Sequence, residues 1–384
     1  MKEDVSILAN DSLNGRKTGS EGEKKAARYI AKRFENIGLQ PKGTVGYLQK
    51  FTYKASKNPH AAAEFTSGPS DSTQTAENVI AYLDNKAENT VVIGAHYDHL
   101  GMGGEGSLYR EGEAIHNGAD DNASGVAMML HLADSLQKKD SPKNNNYLFI
   151  AFSGEEEGLL GSNYFVKNPT IDTKKVTYMI NMDMVGRLNS EKTLAVYGIG
   201  TSPVMKQTVN ANAGDLKIAE NESGVGPSDH TSFYLADIPV LHFFTGQHED
   251  YHKPSDDTEK VNFEGMELVS NYIFSIIKDL DSQKKLSFRK TKNESEVVPD
   301  FKVTLGVVPD YLFSGKGMRI DGVSEDKPAQ KAGLQKGDIV VKMGEFDVTD
   351  MMSYMKSLSK FEKGQTATVT IDRAGDLKEV EVTF

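Results

Sequence analysis

The run 147–152, Tyr-Leu-Phe-Ile-Ala-Phe, is wholly apolar and breaks at Ser153-Gly154, after which Glu155, Glu156 and Glu157 follow in succession. An apolar run of this length, bounded by turn residues, reads as a strand buried on both faces. Such strands belong to sheets covered by helices, and open sheets of that kind place their chemistry beyond the C-terminal ends of the strands. The acids stand at that end. Of two neighbouring carboxylates there, one can hold a cation while the other moves protons. The competing reading is a solvated helix N-terminus, where the dipole favours acids. These residues alone leave the two readings level.

Elsewhere the pattern recurs. Runs at 78–83 and 90–95 read as strands, and the second ends in His96-Tyr97-Asp98-His99. Residues two apart on a strand share a face, so His96 and Asp98 point the same way. A carboxylate beside a metal-binding imidazole commonly fixes its tautomer, although a histidine simply satisfied by a nearby acid is the more frequent case for an isolated pair. Asp120 and Asp121 precede Asn122-Ala-Ser124-Gly125 and a helix expected over 126–138. Asn122 or Ser124 would serve as its N-cap, but two acids exceed what capping needs.

The stretch 176–187 reads as a central strand carrying Asp183, and a lone buried carboxylate is costly unless paired or metal-bound. An apolar strand at 238–244 leads to Tyr251-His252 and a long helix over 264–281, while an earlier helix over 23–37 ends at Gly38. Strands alternating with helices, with acids or histidines at strand ends, predict an α/β fold with a mixed, mostly parallel central sheet flanked by helices. His96, Asp121, Glu156, Asp183 and His252 form a set of two histidines and three carboxylates. Such a set suits two divalent cations bridged by one carboxylate.

Composition narrows the chemistry further. Cysteine is absent, so metal donors are limited to His, Asp, Glu and water, and no thiol nucleophile or disulfide is available. The net charge of -11 is spread along the chain, which argues against a nucleic-acid surface. No apolar run approaches the roughly 18 residues of a membrane span. No secretory signal is visible after Met1. The expected location is nonetheless extracytoplasmic, periplasmic or secreted, with a leader absent from this chain. A length of 384 residues favours two or three domains.

Together, Gly94-Ala-His-Tyr-Asp98, Gly118-Ala-Asp-Asp-Asn-Ala-Ser-Gly125, Glu155-Glu156, Asn181-Met-Asp183 and Tyr251-His252 resemble the co-catalytic di-zinc exopeptidase family that includes bacterial leucyl aminopeptidase, aminopeptidase S and aminopeptidase Y. The resemblance covers roughly 5–282 and includes Thr18-Gly-Ser-Glu-Gly22. It implies two zinc ions per chain, His96 and Asp183 on one, Glu156 and His252 on the other, with Asp121 bridging. It also implies Glu155 as general base, Asp98 as support for His96 and a cis peptide at Asp121-Asn122. Tyr251 would donate to the developing oxyanion, as a tyrosine in some relatives does, or face solvent as an ordinary aromatic. Asp229 and His230 read as site wall.

Beyond the 1–282 domain, 283–296 reads as a linker. Residues 297–384, with Ala332-Gly-Leu-Gln-Lys-Gly-Asp338, resemble a PDZ domain, a small β-sandwich or barrel-like unit. Such domains bind peptides by strand addition. Ser314-Gly-Lys-Gly-Met-Arg319 departs from the usual carboxylate-binding loop, so the domain is expected as a peptide-binding or regulatory module, or as an accessory without ligand.

The function expected is a zinc aminopeptidase acting on peptides with a free N-terminus. The alternatives are a carboxypeptidase or glutaminyl cyclase on the same fold, or a non-catalytic peptide-binding protein. A carboxypeptidase needs arginines for the substrate carboxylate, and only Arg110 and Arg187 lie near the motifs.

Overall fold

The computed structural model describes residues 1–54, 64–66, 73–104, 106–291, 303–310, 313, 315–323 and 327–384. Most of the surface excursion expected over 56–75, the end of the expected linker and Ser314 lie outside the described residues. The chain divides into two compact units, Met1–Thr245 with Asp250–Thr291, and Gly246–Glu249 with Lys292–Phe384.

The first unit is built on a ten-stranded sheet. Its principal strands are β1 (Leu48–Lys54), β2 (Gln74–Leu83), β3 (Asn89–His96), β4 (Asn145–Phe152), β5 (Val176–Met182), β6 (Thr193–Tyr197), β7 (Lys217–Glu220) and β8 (Val240–Phe244). They run in the order β1-β2-β4-β3-β5-β8-β6-β7. The four inner strands, β4, β3, β5 and β8, are mutually parallel, whereas β2 and β6 join them antiparallel. The sheet is thus mixed, with a parallel centre whose strands all end on one side.

Alternation along the strands explains why the centre reads as continuous apolar sequence. Tyr147, Phe149 and Ala151 face one core, packed with Ile30 and Phe34 of helix α1 (Glu21–Ile37), Met128 and Leu132 of α2 (Gly125–Gln137) and Ile273 of α4 (Phe263–Leu280). Leu148, Ile150 and Phe152 face the other, with Phe165 of α3 (Leu160–Lys167). Each strand is therefore buried twice over. Gly94 in β3 is held to glycine by this packing, since a Cβ there would lie 2.4 Å from the Phe152 ring.

Local signals set the boundaries. The Ser20 side chain accepts from the Glu23 N–H at the start of α1, and Gly38, at φ 89°, closes it. Asp183, expected inside a strand, stands just past the end of β5. Residues 286–291, within the expected linker, are docked on this unit: Leu286 donates its N–H to Thr177 Oγ1, Arg289 to the Thr201 carbonyl and Thr291 to Tyr234 Oη.

The C-terminal unit carries a six-stranded sheet in which every pairing is antiparallel. Its own core includes Met318, Val340, Tyr354 and Val369. No described helix in either unit is long and apolar enough to cross a membrane.

Candidate metal centre

Because β3, β4, β5 and β8 are parallel, the residues that follow them meet along one sheet edge. His96 is the last residue of β3, and the side chains of Glu156, Asp183 and His252 arrive from the loops beyond β4, β5 and β8. Asp121 comes from the segment that opens α2, where the Asp121-Asn122 peptide is cis.

Donor separations show what the cluster can hold. His96 Nε2 lies 3.4 Å from Asp121 Oδ1 and 3.3 Å from Asp183 Oδ1. His252 Nε2 lies 3.2 Å from Asp121 Oδ2 and 3.4 Å from Glu156 Oε2. A tetrahedral zinc with bonds of about 2.0–2.2 Å places neighbouring donors about 3.3–3.5 Å apart. Three of the four separations lie on such an edge, and the fourth, 3.2 Å, falls just short of it. Asp121 offers one oxygen to each histidine, which is the geometry of a bridging ligand.

Both histidines are oriented for ligation. His96 Nδ1 faces the Asp98 carbonyl at 3.3 Å, and His252 Nδ1 faces the Gly106 carbonyl at 2.8 Å. A proton held on Nδ1 by each carbonyl leaves Nε2 as the lone-pair donor towards the carboxylates. His252 is a non-glycine residue at φ 54°, which turns its ring inward. Burial alone would lower its pKa, but the Glu156 and Asp121 carboxylates lift it to about 9. His96 is likewise raised by Asp183, Glu155 and Asp121 against its burial. The carboxylate excess creates a strong demand for positive charge at this point.

Glu155 adjoins the cluster without joining either donor group. Burial raises its pKa well above the ordinary carboxylate value, and although His96 opposes this, Asp183 and Glu156 add to it. The Asp98 carboxylate lies 3.6 Å from His96 Nδ1. It also accepts the N–H groups of Glu155 at 3.1 Å and Glu156 at 3.3 Å, and the Thr18 hydroxyl at 2.9 Å. One carboxylate therefore fixes the relation between the ends of β3 and β4. The Tyr251 ring stacks on His252 with centroids 3.8 Å apart. Asp229 is fully buried near the cluster, and this burial pushes its pKa up to about 7.

Sequence reasoning missed four contributors. Arg16, 1% exposed, donates to the carbonyls of Leu8, Tyr97, Asn117 and Gly118. Thr18 holds Asp98. Asp256 accepts the N–H groups of Asp120 at 3.0 Å and Asp121 at 3.1 Å. His99 donates from Nδ1 to Glu156 Oε1 at 2.8 Å. His99 and Thr18 each stood inside a stretch already singled out, His99 beside His96 and Thr18 in Thr18-Gly-Ser-Glu-Gly22, but neither was given a role.

A model described as Peptidase family M28 matches residues 78–277, from β2 to the end of α4, which is more than half of the chain. The chain belongs to peptidase family M28. A PDZ domain model matches residues 286–384 of this M28 chain. Among curated proteins it is 28% identical over 248 residues to aminopeptidase YwaD of Bacillus subtilis, covering 60% of this chain and 51% of that protein. It is 31% identical over 232 residues to leupeptin-inactivating enzyme 1 of Streptomyces exfoliatus, covering 59% and 48% respectively. The chain thus spans about half the length of these relatives. In fold it is similar to BSAP, a zinc aminopeptidase from Bacillus subtilis, with a TM-score of 0.55 at 18% identity over 75% of this chain and 97% of that one. It is similar as well to the glutaminyl cyclase of Bacteroides thetaiotaomicron, with a TM-score of 0.56 at 16% identity over 73% and 98%.

Proposed function

We propose that this M28 chain is a zinc-dependent aminopeptidase that holds two zinc ions and releases residues from the N-terminus of peptides. The observation that carries this reading is the pair of donor groups sharing Asp121. His96 and Asp183 would hold one ion, and Glu156 and His252 the other. When bound, the ions would act as Lewis acids and lower the pKa of water from 15.7 towards about 7.

The protein's own groups do the rest. Glu155, beside both donor groups, takes the proton of the attacking water and returns it to the leaving amine. Asp98 keeps Glu155 and Glu156 in register through their backbone N–H groups, so that base and ligand stay a fixed distance apart. Tyr251, stacked on His252, is the candidate to donate a hydrogen bond to the oxyanion.

The polarity of the site favours the amino end of a peptide. Carboxylates dominate, and of the two arginines near the motifs, Arg187 is paired with Asp250 at 3.0 Å and Arg110 is exposed. The PDZ domain is assigned as an accessory module that binds a peptide or protein segment.

Metal-loaded full-length protein should be assayed on peptides that are N-terminally free, N-acetylated and C-terminally amidated, with chelator and zinc add-back. Release of the first residue only from free amines, lost with chelator and regained with zinc, supports the reading. Cleavage indifferent to N-acetylation overturns it. Cyclisation of an N-terminal glutamine without peptide hydrolysis would assign the fold to a cyclase instead.

A further inference from the structure

His99 meets the centre without belonging to the five donors. Its ring is fully buried, with Nδ1 2.8 Å from Glu156 Oε1 and 3.9 Å from Asp121 Oδ2. His99, Asp121 and Glu156 bring donor atoms within 4.8 Å of one another, but 2.8 and 3.9 Å depart further from the edge of about 3.3–3.5 Å between donors on one tetrahedral zinc than the 3.2 and 3.4 Å at which His252 meets the same two carboxylates. The shorter distance is that of a charge-assisted hydrogen bond. An ionised carboxylate only accepts, so the shared proton resides on His99 Nδ1.

We propose that His99 is a positioning residue for the second cation: it donates from Nδ1 to Glu156 Oε1 and so turns the other oxygen, Oε2, towards His252 and Asp121. The inference rests on the two-cation reading above. Glu156 follows a glycine turn at the end of β4, and its side chain has free torsions that a single metal bond would not fix. With Oε1 tied to His99, only Oε2 is left to face the shared site.

The surroundings are shaped for this ring. The His99 N–H donates to the Arg16 carbonyl at 3.1 Å, which anchors its backbone. Gly118, at φ 55°, passes so close that a Cβ there would lie 2.0 Å from the Asp121 carbonyl oxygen and 2.6 Å from the Cγ and Cδ2 atoms of His99. A side chain at 118 would therefore strike both the loop's own backbone and the imidazole, so the ring sits against backbone on that side. The far nitrogen, Nε2, is buried and has no partner among the described residues. The Glu156 contact is thus the one hydrogen bond the ring makes there, and outer-shell partners of this kind are worth about 10–100-fold in metal affinity.

The test is titration of metal-free full-length protein with Zn²⁺ against a competing chelator, by calorimetry, for wild type, His99→Ala, His99→Asn and His252→Ala, with Co²⁺ absorption spectra alongside. Wild type should take up two equivalents and His252→Ala one. His99→Ala should still reach two, with the weaker dissociation constant raised about 10–100-fold and an altered cobalt spectrum. His99→Asn, whose amide N–H can stand where Nδ1 does, should recover most of the loss. Unchanged affinity in His99→Ala overturns the inference. So does loss of the second equivalent at saturation, as in His252→Ala, which would make His99 a ligand. Uptake of fewer than two equivalents by wild type would instead overturn the two-cation reading itself.

Discussion

Arg16 donates from Nε to the carbonyl of Tyr97 at 2.8 Å, so a residue near the start of the chain grips the peptide between His96 and Asp98. The same guanidinium reaches Asn117 at 2.6 Å and Gly118 at 3.0 Å, the residues that lead into Asp121. Burial pushes its pKa down to about 10, with Asp121 and Asp98 working in the opposite direction, and it remains charged at neutral pH. One planar fork thereby joins the two loops that supply His96 and Asp121.

Lysine cannot reproduce that fork, because it presents a single point charge on a flexible stem. Arg16→Lys should lower the stability of the metal-free protein by about 3 kcal/mol, the scale of losing one or two buried charged hydrogen bonds and stranding their carbonyls. Urea denaturation measures the effect. An unchanged midpoint would show that the clamp holds nothing the rest of the fold does not already hold.

The frame of the site was readable from residue type and period. The run 147–152 announced β4, Ser153-Gly154 announced its end, and a doubly apolar strand required helices on both faces. The five proposed donors could be picked out as a set because metal ligation needs particular side chains at particular strand ends. The roles of Arg16, Thr18 and Asp256 were not readable, because they act on backbone carbonyls, backbone N–H groups and one carboxylate across separations such as 81 and 135 residues. Any sequence presents those backbone groups, so no pattern marks the partner. The docked segment 286–291 was hidden for a related reason: its contacts to Thr177, Thr201 and Tyr234 join polar residues to backbone, and polar composition reads as linker.

Asp256 is a case in which the fold and the site share one side chain. Its buried carboxylate accepts from the N–H groups of Asp120 and Asp121, while Asp120 Oδ1 in turn accepts from Gly186 N–H at 2.6 Å. Asp256→Ala should loosen the Asp121 loop and raise the zinc dissociation constants about 10-fold or more. Chelator competition reads this directly. Wild-type affinity with an intact fold would reduce Asp256 to scaffolding.

Glu155→Gln preserves size and hydrogen bonding but removes the base. If Glu155 moves the proton, turnover on an amino acid arylamide should fall about 10²–10⁴-fold. Zinc content should stay at the wild-type value, because no donor has been touched. Metal analysis beside steady-state rates separates the two outcomes, and loss of zinc in the variant would mean that Glu155 is a ligand.

The PDZ unit carries an acid-sensitive contact of its own. Asp338 is buried, which raises its pKa, but Arg373 donates to it from Nε at 2.6 Å and from a terminal nitrogen at 2.7 Å, and the Gln335 N–H adds a third bond. The net effect is a pKa below the ordinary value. A carboxylate depressed in the folded state releases its proton more readily there than in the unfolded chain. Its contribution is therefore complete well above the unfolded pKa of about 3.9 and drains away as pH falls through the lower folded value. Hydrogen exchange of the strands Ile339–Met343 and Thr366–Arg373 in the full chain should accelerate, after correction for intrinsic rates, as pH drops below about 5. Asp338→Asn should flatten that dependence at the cost of lower protection at neutral pH. A wild-type profile that is flat to pH 3, or one that the asparagine leaves unchanged, would rule out this ion pair as its source.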